Sequence, residues 1–262
     1  MSSPGEYYKA LPPIIKAYGT ACFVATAAYE LGLYSPLYIA LFYSEVFYRF
    51  QVWRLFTNFF FLGGFSINFG IRLLMILRYG VQLEKGVFDR RTADFLWMMI
   101  FGAFSLLVSE IIYLSFHLTI IYVIFFHWGV LSAIPFFWTP FMAVSLVFML
   151  VYVWSREFPN ALVSFYGLVS LKAFYLPWVT LALDVIFGSP IMPDLLGIIA
   201  GHLFYFLTVL HPLAGGKNIL KTPIHKLVAR WRIGPPPITR VNDVQQESSS
   251  GVFRGRSYRL NG

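Results

Sequence analysis

The sequence predicts an all-α polytopic membrane protein: six transmembrane helices in one bundle, followed by a basic tail. Three observations carry this. Only 12% of the 262 residues are charged while 58% are hydrophobic, against about 25% charged in soluble domains. The apolar runs approach the roughly 20 residues a helix needs to cross a bilayer, and helices and closed barrels are the structures that satisfy their backbone there. Nine of the 20 basic residues follow His211, against two acids, Asp243 and Glu247, which places that end on the cytosolic side by the positive-inside rule.

The elements follow in order. A first span is expected at 17–33 and a second at 55–77, flanked by Arg72 and Arg78, which can snorkel to the interface. The polar connector YGVQLEKGVFDRRTAD carries Lys85, Arg90 and Arg91 and is cytosolic by the same rule, so the N-terminus is too. Residues 95–154 then hold a single formal charge, Glu110, and are long enough for two or three spans. Parity decides: two give six crossings and a cytosolic tail, whereas three would carry nine basic residues across. The surplus apolar segment, 109–130, is expected not to cross, lying re-entrant or interfacial. A fifth span, interrupted by Lys172 and Pro177, is expected within 162–187, and a sixth at 195–210. In the tail, Thr222 and Pro223 open a short helix with Ile224, Leu227, Val228 and Trp231 on one stripe. It suits either an anionic membrane surface or the protein's own loops. Beyond it ITRVNDVQQESSSG reads as a flexible tether.

Composition also excludes. One cysteine, Cys22, permits neither an intramolecular disulfide nor a cysteine-based metal site. No basic n-region with an adjoining apolar stretch marks a cleaved signal peptide. The basic balance follows topology, so nucleic acid is not expected as a partner.

Trp53 and Arg54 stand at the mouth of the second span. They suit either interfacial anchoring or a structured re-entrant loop whose arginine bonds backbone carbonyls. Gly197 and Gly201, four apart in GIIAG, suit close helix packing. His202 beside them reads as a satisfied interior histidine, because a catalytic base needs a hydrogen-bonded nucleophile. Glu110, His117 and His127 fit no metal spacing and are expected at an interface.

Together the WR pair, the run FSINFGIRLLMILRYGVQLEKGVFDRRTADFLWMMIFGAFSLLV, VYVWSREFPN, the run KAFYLPWVTLALDVIFGSPIMPDLLGIIAGHLFYFLTVLHPLA and the ending FRGRSYRLNG resemble the Derlin family, plant Derlins in particular. The likeness covers most of the chain. It implies a rhomboid-like pseudoprotease of the endoplasmic reticulum membrane, with a transmembrane domain over 1–214 and a cytosolic tail over 215–262, both termini cytosolic. The implied role is non-enzymatic: in endoplasmic-reticulum-associated degradation, helping misfolded clients return to the cytosol. The implied partners are a membrane-embedded ubiquitin ligase and a AAA ATPase of the valosin-containing protein type, with no cofactor; homo- or hetero-oligomers are compatible with it.

By the same resemblance Trp53 and Arg54 belong to the loop that handles clients. Gly197 and Gly201, with His202, belong to helix packing in the sixth span. Gly255, Tyr258, Arg259 and Leu260 form the ATPase-docking box. An active rhomboid pairs a Gly-x-Ser-Gly serine on its fourth span with a histidine on its sixth, and no Gly-x-Ser-Gly occurs here. Residues 109–130 intervene where the family's sequence runs on almost directly, and read as an insertion. Three rival readings are an active intramembrane protease, a structural adaptor without a conduit role, and a solute channel. The last predicts inverted repeats, of which the sequence shows no sign.

Overall fold

Proline opens the first long helix and glycine closes it. The computed structural model describes residues 4–128, 140–165, 169–216 and 220. After a short helix α1 (Pro4–Lys9), α2 runs Pro13–Glu30, with a proline in its first turn, where a missing N–H is harmless. It ends at Gly32, whose φ of 69° suits a glycine after a helix.

Residues 31–66 form a folded loop holding the short helices α3 (Tyr43–Arg49) and α4 (Arg54–Thr57). The expected second span is therefore displaced: α5 starts only at Ile67. Gly63, at φ 105°, turns the chain, and Ser66 Oγ accepts from Phe69 N at 3.2 Å, the N-cap that sets the start. From Ile67–Met75 the helix continues through π-helical stretches Ile76–Gly80 and Leu83–Val87. Most of the expected polar connector is thus helical.

Helix α6 spans Thr92–Trp128, 37 residues without a break. Residues 109–128 do not form the separate segment expected from the sequence: they extend α6. No glycine or proline lies between residues 104 and 128 to stop it. At 1.5 Å per residue α6 is about 55 Å long, nearly twice the hydrocarbon thickness. Glu110, expected at an interface, is buried.

Helix α7 (Ala143–Glu157) is the centre of the bundle, with residues 143–155 all buried. A helix apolar on every side is a core helix, and α5 with its continuation, α6, α8 (Leu176–Ile186) and α9 (Ile191–Tyr205) pack against it. The expected fifth span divides in two. Its first part is a hairpin, β1 (Leu162–Phe165) antiparallel to β2 (Val169–Lys172), with Leu162 opposite Lys172. Only Leu176–Ile186, α8, is a regular helix beyond it, with Pro177 in its first turn. α9 covers Ile191–Tyr205 and continues through a π-helical stretch, Phe206–Leu210, to Leu213. Among the described residues two stretches, Thr92–Ile112 and Ile191–Leu213, are long and apolar enough to cross a membrane. The tail helix expected at 222–232 lies outside the described residues.

Candidate functional site

The loop 31–66 is organised by one guanidinium. Arg54, only 6% exposed, donates from Nη1 to Leu37 O (2.5 Å) and Ala40 O (2.7 Å) and from Nε to Gln51 Oε1 (2.7 Å), while its Cζ stands 5.4 Å from the Phe42 ring. Its own carbonyl accepts from Asn58 Nδ2 at 2.6 Å. Buried carbonyls without a donor destabilise a fold, so a single side chain with several donors holds together a stretch whose helices are each of seven residues or fewer. Trp53, next to it, points outward and is 54% exposed. Phe47, Tyr48, Phe50 and Phe56 are exposed as well, giving this loop an aromatic outer surface of the kind that suits a membrane interface.

The second arrangement is the seam between α7 and α9. A Cβ on Gly197 would run into the Ser145 carbonyl oxygen and Phe148 Cβ, and one on Gly201 would meet the Tyr152 ring at 2.9 Å. These glycines let the helix backbones approach as larger residues could not. His202 is satisfied, as expected, with Nδ1 2.7 Å from the Tyr152 hydroxyl, but it is exposed and not interior. Ser155 is turned back along its own helix, donating to Tyr152 O at 2.7 Å. Ser164 lies in β1. Neither serine is hydrogen-bonded to His202. Ser145 Oγ is buried and makes no hydrogen bond.

A third cluster was not singled out by sequence reasoning. Arg72 Nη2 pairs with Asp184 Oδ2 at 3.1 Å and lies 3.3 Å from Ser189 Oγ, which also accepts from Asn68 Nδ2 at 3.0 Å. Asp194, at the start of α9 and near this pair, is completely buried, and neither of its carboxylate oxygens has a hydrogen-bond partner among the described residues. The bonds of Asn68, Arg72, Asp184 and Ser189 tie α5, α8 and the turn after α8. The signal was present in the sequence as ionisable residues inside apolar runs, which are functional candidates by default; what it lacked was the pairing across 112 residues.

Among the described residues no group of three or more His, Cys, Asp or Glu side chains could hold a metal ion. Gly255, Tyr258, Arg259 and Leu260 lie outside the described residues.

Comparison with known proteins places these features. The model of the Der1-like family matches residues 11–144 and 116–224, two stretches that overlap in the long apolar region. The chain is 62% identical over 290 aligned positions to Derlin-1 of Arabidopsis thaliana, covering 99% of each. It is 60% identical to Derlin-1.2 of Zea mays over the whole of both chains, and 36% identical to Derlin-2.1 of Arabidopsis thaliana over 92% of this chain and 93% of that one. With a helical bundle, membrane-length apolar helices and likeness from end to end, this chain belongs to the Der1-like family, the Derlins.

Proposed function

We propose that this protein is a non-enzymatic component of endoplasmic-reticulum-associated degradation, which eases misfolded proteins across the bilayer and hands them to a cytosolic ATPase held by its tail. The observation that carries the reading is the shortness of a partly exposed bundle helix in a Derlin. α8 has 11 residues, with Trp178, Val185 and Ile186 exposed, about 16 Å at 1.5 Å per residue, against roughly 30 Å of hydrocarbon. Lipid meeting a surface that short thins locally, at fractions of a kcal/mol per Å. A charged client residue at the bilayer centre costs about 2.5 to 3.5 kcal/mol or more, and a thinner bilayer lowers that barrier.

In this reading α2, α5, α6, α7, α8 and α9 are the six crossings, both termini are cytosolic, and Trp53 and Arg54 belong to the loop that meets clients. Proteolysis has no support from the seam: His202 is bonded to a tyrosine, and neither Ser155 nor Ser164 is turned to it. Gly255, Tyr258, Arg259 and Leu260 are the ATPase-docking box, with a ubiquitin ligase as the further partner.

The test uses sealed microsomes containing the full chain with an epitope after Gly262. External protease should remove the epitope while the membrane is intact, and Tyr258→Ala with Leu260→Ala should abolish co-purification of the ATPase without altering insertion. An epitope that resists until detergent is added would overturn the topology and, with it, the docking role.

A further inference from the structure

At the end of α7, the Arg156 guanidinium is held by rings and has no hydrogen-bond or ion-pair partner among the described residues. Its Cζ stands 4.1 Å from the centroid of Phe174 and 4.7 Å from that of Tyr152, so two rings hold it in position through cation–π attraction. Yet no hydrogen bond or ion pair reaches it from the described residues, and its Nε is buried without a partner. Other arginines behave differently. Arg54 and Arg91 donate to backbone carbonyls, and Arg72 to a carboxylate. Nor does Arg156 cap its own helix, since it donates to none of the last carbonyls of α7, the usual role of a basic residue there.

The surroundings specify the missing partner. Lys172, at the end of β2 and two residues before Phe174, is a second cation without an ion pair among the described residues. His202 is joined to the same tyrosine, its Nδ1 2.7 Å from the Tyr152 hydroxyl. In the tautomer where the Tyr152 hydroxyl donates to Nδ1, Nε2 carries a proton and is a further donor. Phe174, Tyr175 and Trp178 expose their rings beside these donors. Cations and N–H donors without an acceptor call for an anion with several oxygens, and a guanidinium held flat presents a fork that fits phosphate. The adjoining exposed aromatics call for an apolar portion on the same molecule, as at a membrane interface.

We propose that Arg156, with Lys172 and His202, forms a binding site for the phosphate of an anionic phospholipid, whose acyl chains lie on Phe174, Tyr175 and Trp178. A phosphate monoester, as in phosphatidic acid, offers the fork unshielded oxygens, whereas the phosphodiester of phosphatidylcholine carries a bulky cation that Arg156 and Lys172 repel. The site goes beyond the retrotranslocation reading and does not depend on it. It would seat one lipid against the hairpin and the start of α8.

The test is native mass spectrometry of the full chain in detergent, titrated with phosphatidic acid or phosphatidylcholine. Wild type should bind phosphatidic acid about tenfold more tightly, and Arg156→Gln should remove most of that preference. Lys172→Gln should weaken it less. Arg156→Lys should restore only part, because an ammonium lacks the fork. Arg49→Gln, on the distant loop, should change nothing. Equal binding of the two lipids by wild type, or undiminished phosphatidic acid binding by Arg156→Gln, would overturn the site. Complete displacement of the lipid by millimolar inorganic phosphate would instead make the ligand a free phosphate and refute the lipid assignment. Should Arg156→Gln fold poorly by circular dichroism, Arg156→Lys decides, and unchanged phosphatidic acid affinity in it refutes the proposal.

Discussion

Arg54 does for the loop 31–66 what a strand or helix does elsewhere: it gives backbone carbonyls their donors. Its place beside Trp53 was legible in the sequence, and so was an arginine bonding carbonyls as one of two readings. Which carbonyls it bonds was not, because Leu37 and Ala40 precede it by 17 and 14 residues through turns that no periodicity specifies. Each orphaned carbonyl costs about 1 to 3 kcal/mol. Arg54→Ala in detergent micelles should therefore lower Tm and make bonds within 31–66 the first sites of limited proteolysis, with Arg54→Lys intermediate. Unchanged cleavage would show that the loop is held by its apolar contacts instead. Asp194 teaches the opposite lesson at this scale: its identity was visible, but its complete burial without a hydrogen bond is a property of its neighbours.

Between α7 and α9 the spacing of two glycines became a geometric fact. Gly197 faces backbone, the Ser145 carbonyl, while Gly201 faces the Tyr152 side chain. The Ser145 carbonyl is the closer obstacle and cannot move without its helix, whereas Tyr152, at 2.9 Å, has less far to give. Gly197→Val should therefore destabilise more than Gly201→Val, and at least by the roughly 1 to 3 kcal/mol of an overpacked core. Gly70→Ala, with open space around it, should hold or raise Tm, since alanine favours helix by about 1 kcal/mol. Thermal unfolding of the three variants ranks them, and equal losses at 197 and 201 would mean that the seam yields as a whole. Other elements were misjudged from the sequence for identifiable reasons. Apolar content alone does not distinguish a hairpin from a helix in a stretch as short as 162–172, and a cap such as Ser66 moves a helix start by twelve residues without altering hydropathy. In α6, the absence of any glycine or proline after Gly102 was the informative feature, and it argued for continuity.

Contacts between distant parts of the chain close the N-terminal end of the bundle. Pro12 offers α2 no side-chain cap, and its orphan N–H groups are met from 70 residues away: Glu84 accepts from Ile14 N at 3.0 Å and Ile15 N at 2.9 Å. Lys85 Nζ donates to Ala10 O at 2.7 Å. Burial pushes the Glu84 carboxyl above its ordinary value, against the lowering effect of those two N–H groups and of Lys85. A carboxyl raised in the folded state contributes stability that is fully present below its unfolded value and is lost as pH rises through the folded one. Thermal stability should thus fall as pH rises above the ordinary glutamate range, about 4.3, and Glu84→Gln, which keeps an acceptor but cannot ionise, should flatten that part of the profile. An identical slope in the variant would assign it to other groups. The division of labour is physical. Composition, the charge of the tail and the order of apolar runs are local sums over residues, and by themselves they determined a helical membrane protein and, with the motifs, its family. The start of α5, the unbroken reach of α6, the hairpin before α8, the cap at Glu84 and the stacked Arg156 each depend on which residues meet across tens of positions. Tertiary packing alone decided those, because burial and hydrogen-bond satisfaction are properties of neighbours in space and not of neighbours in the chain.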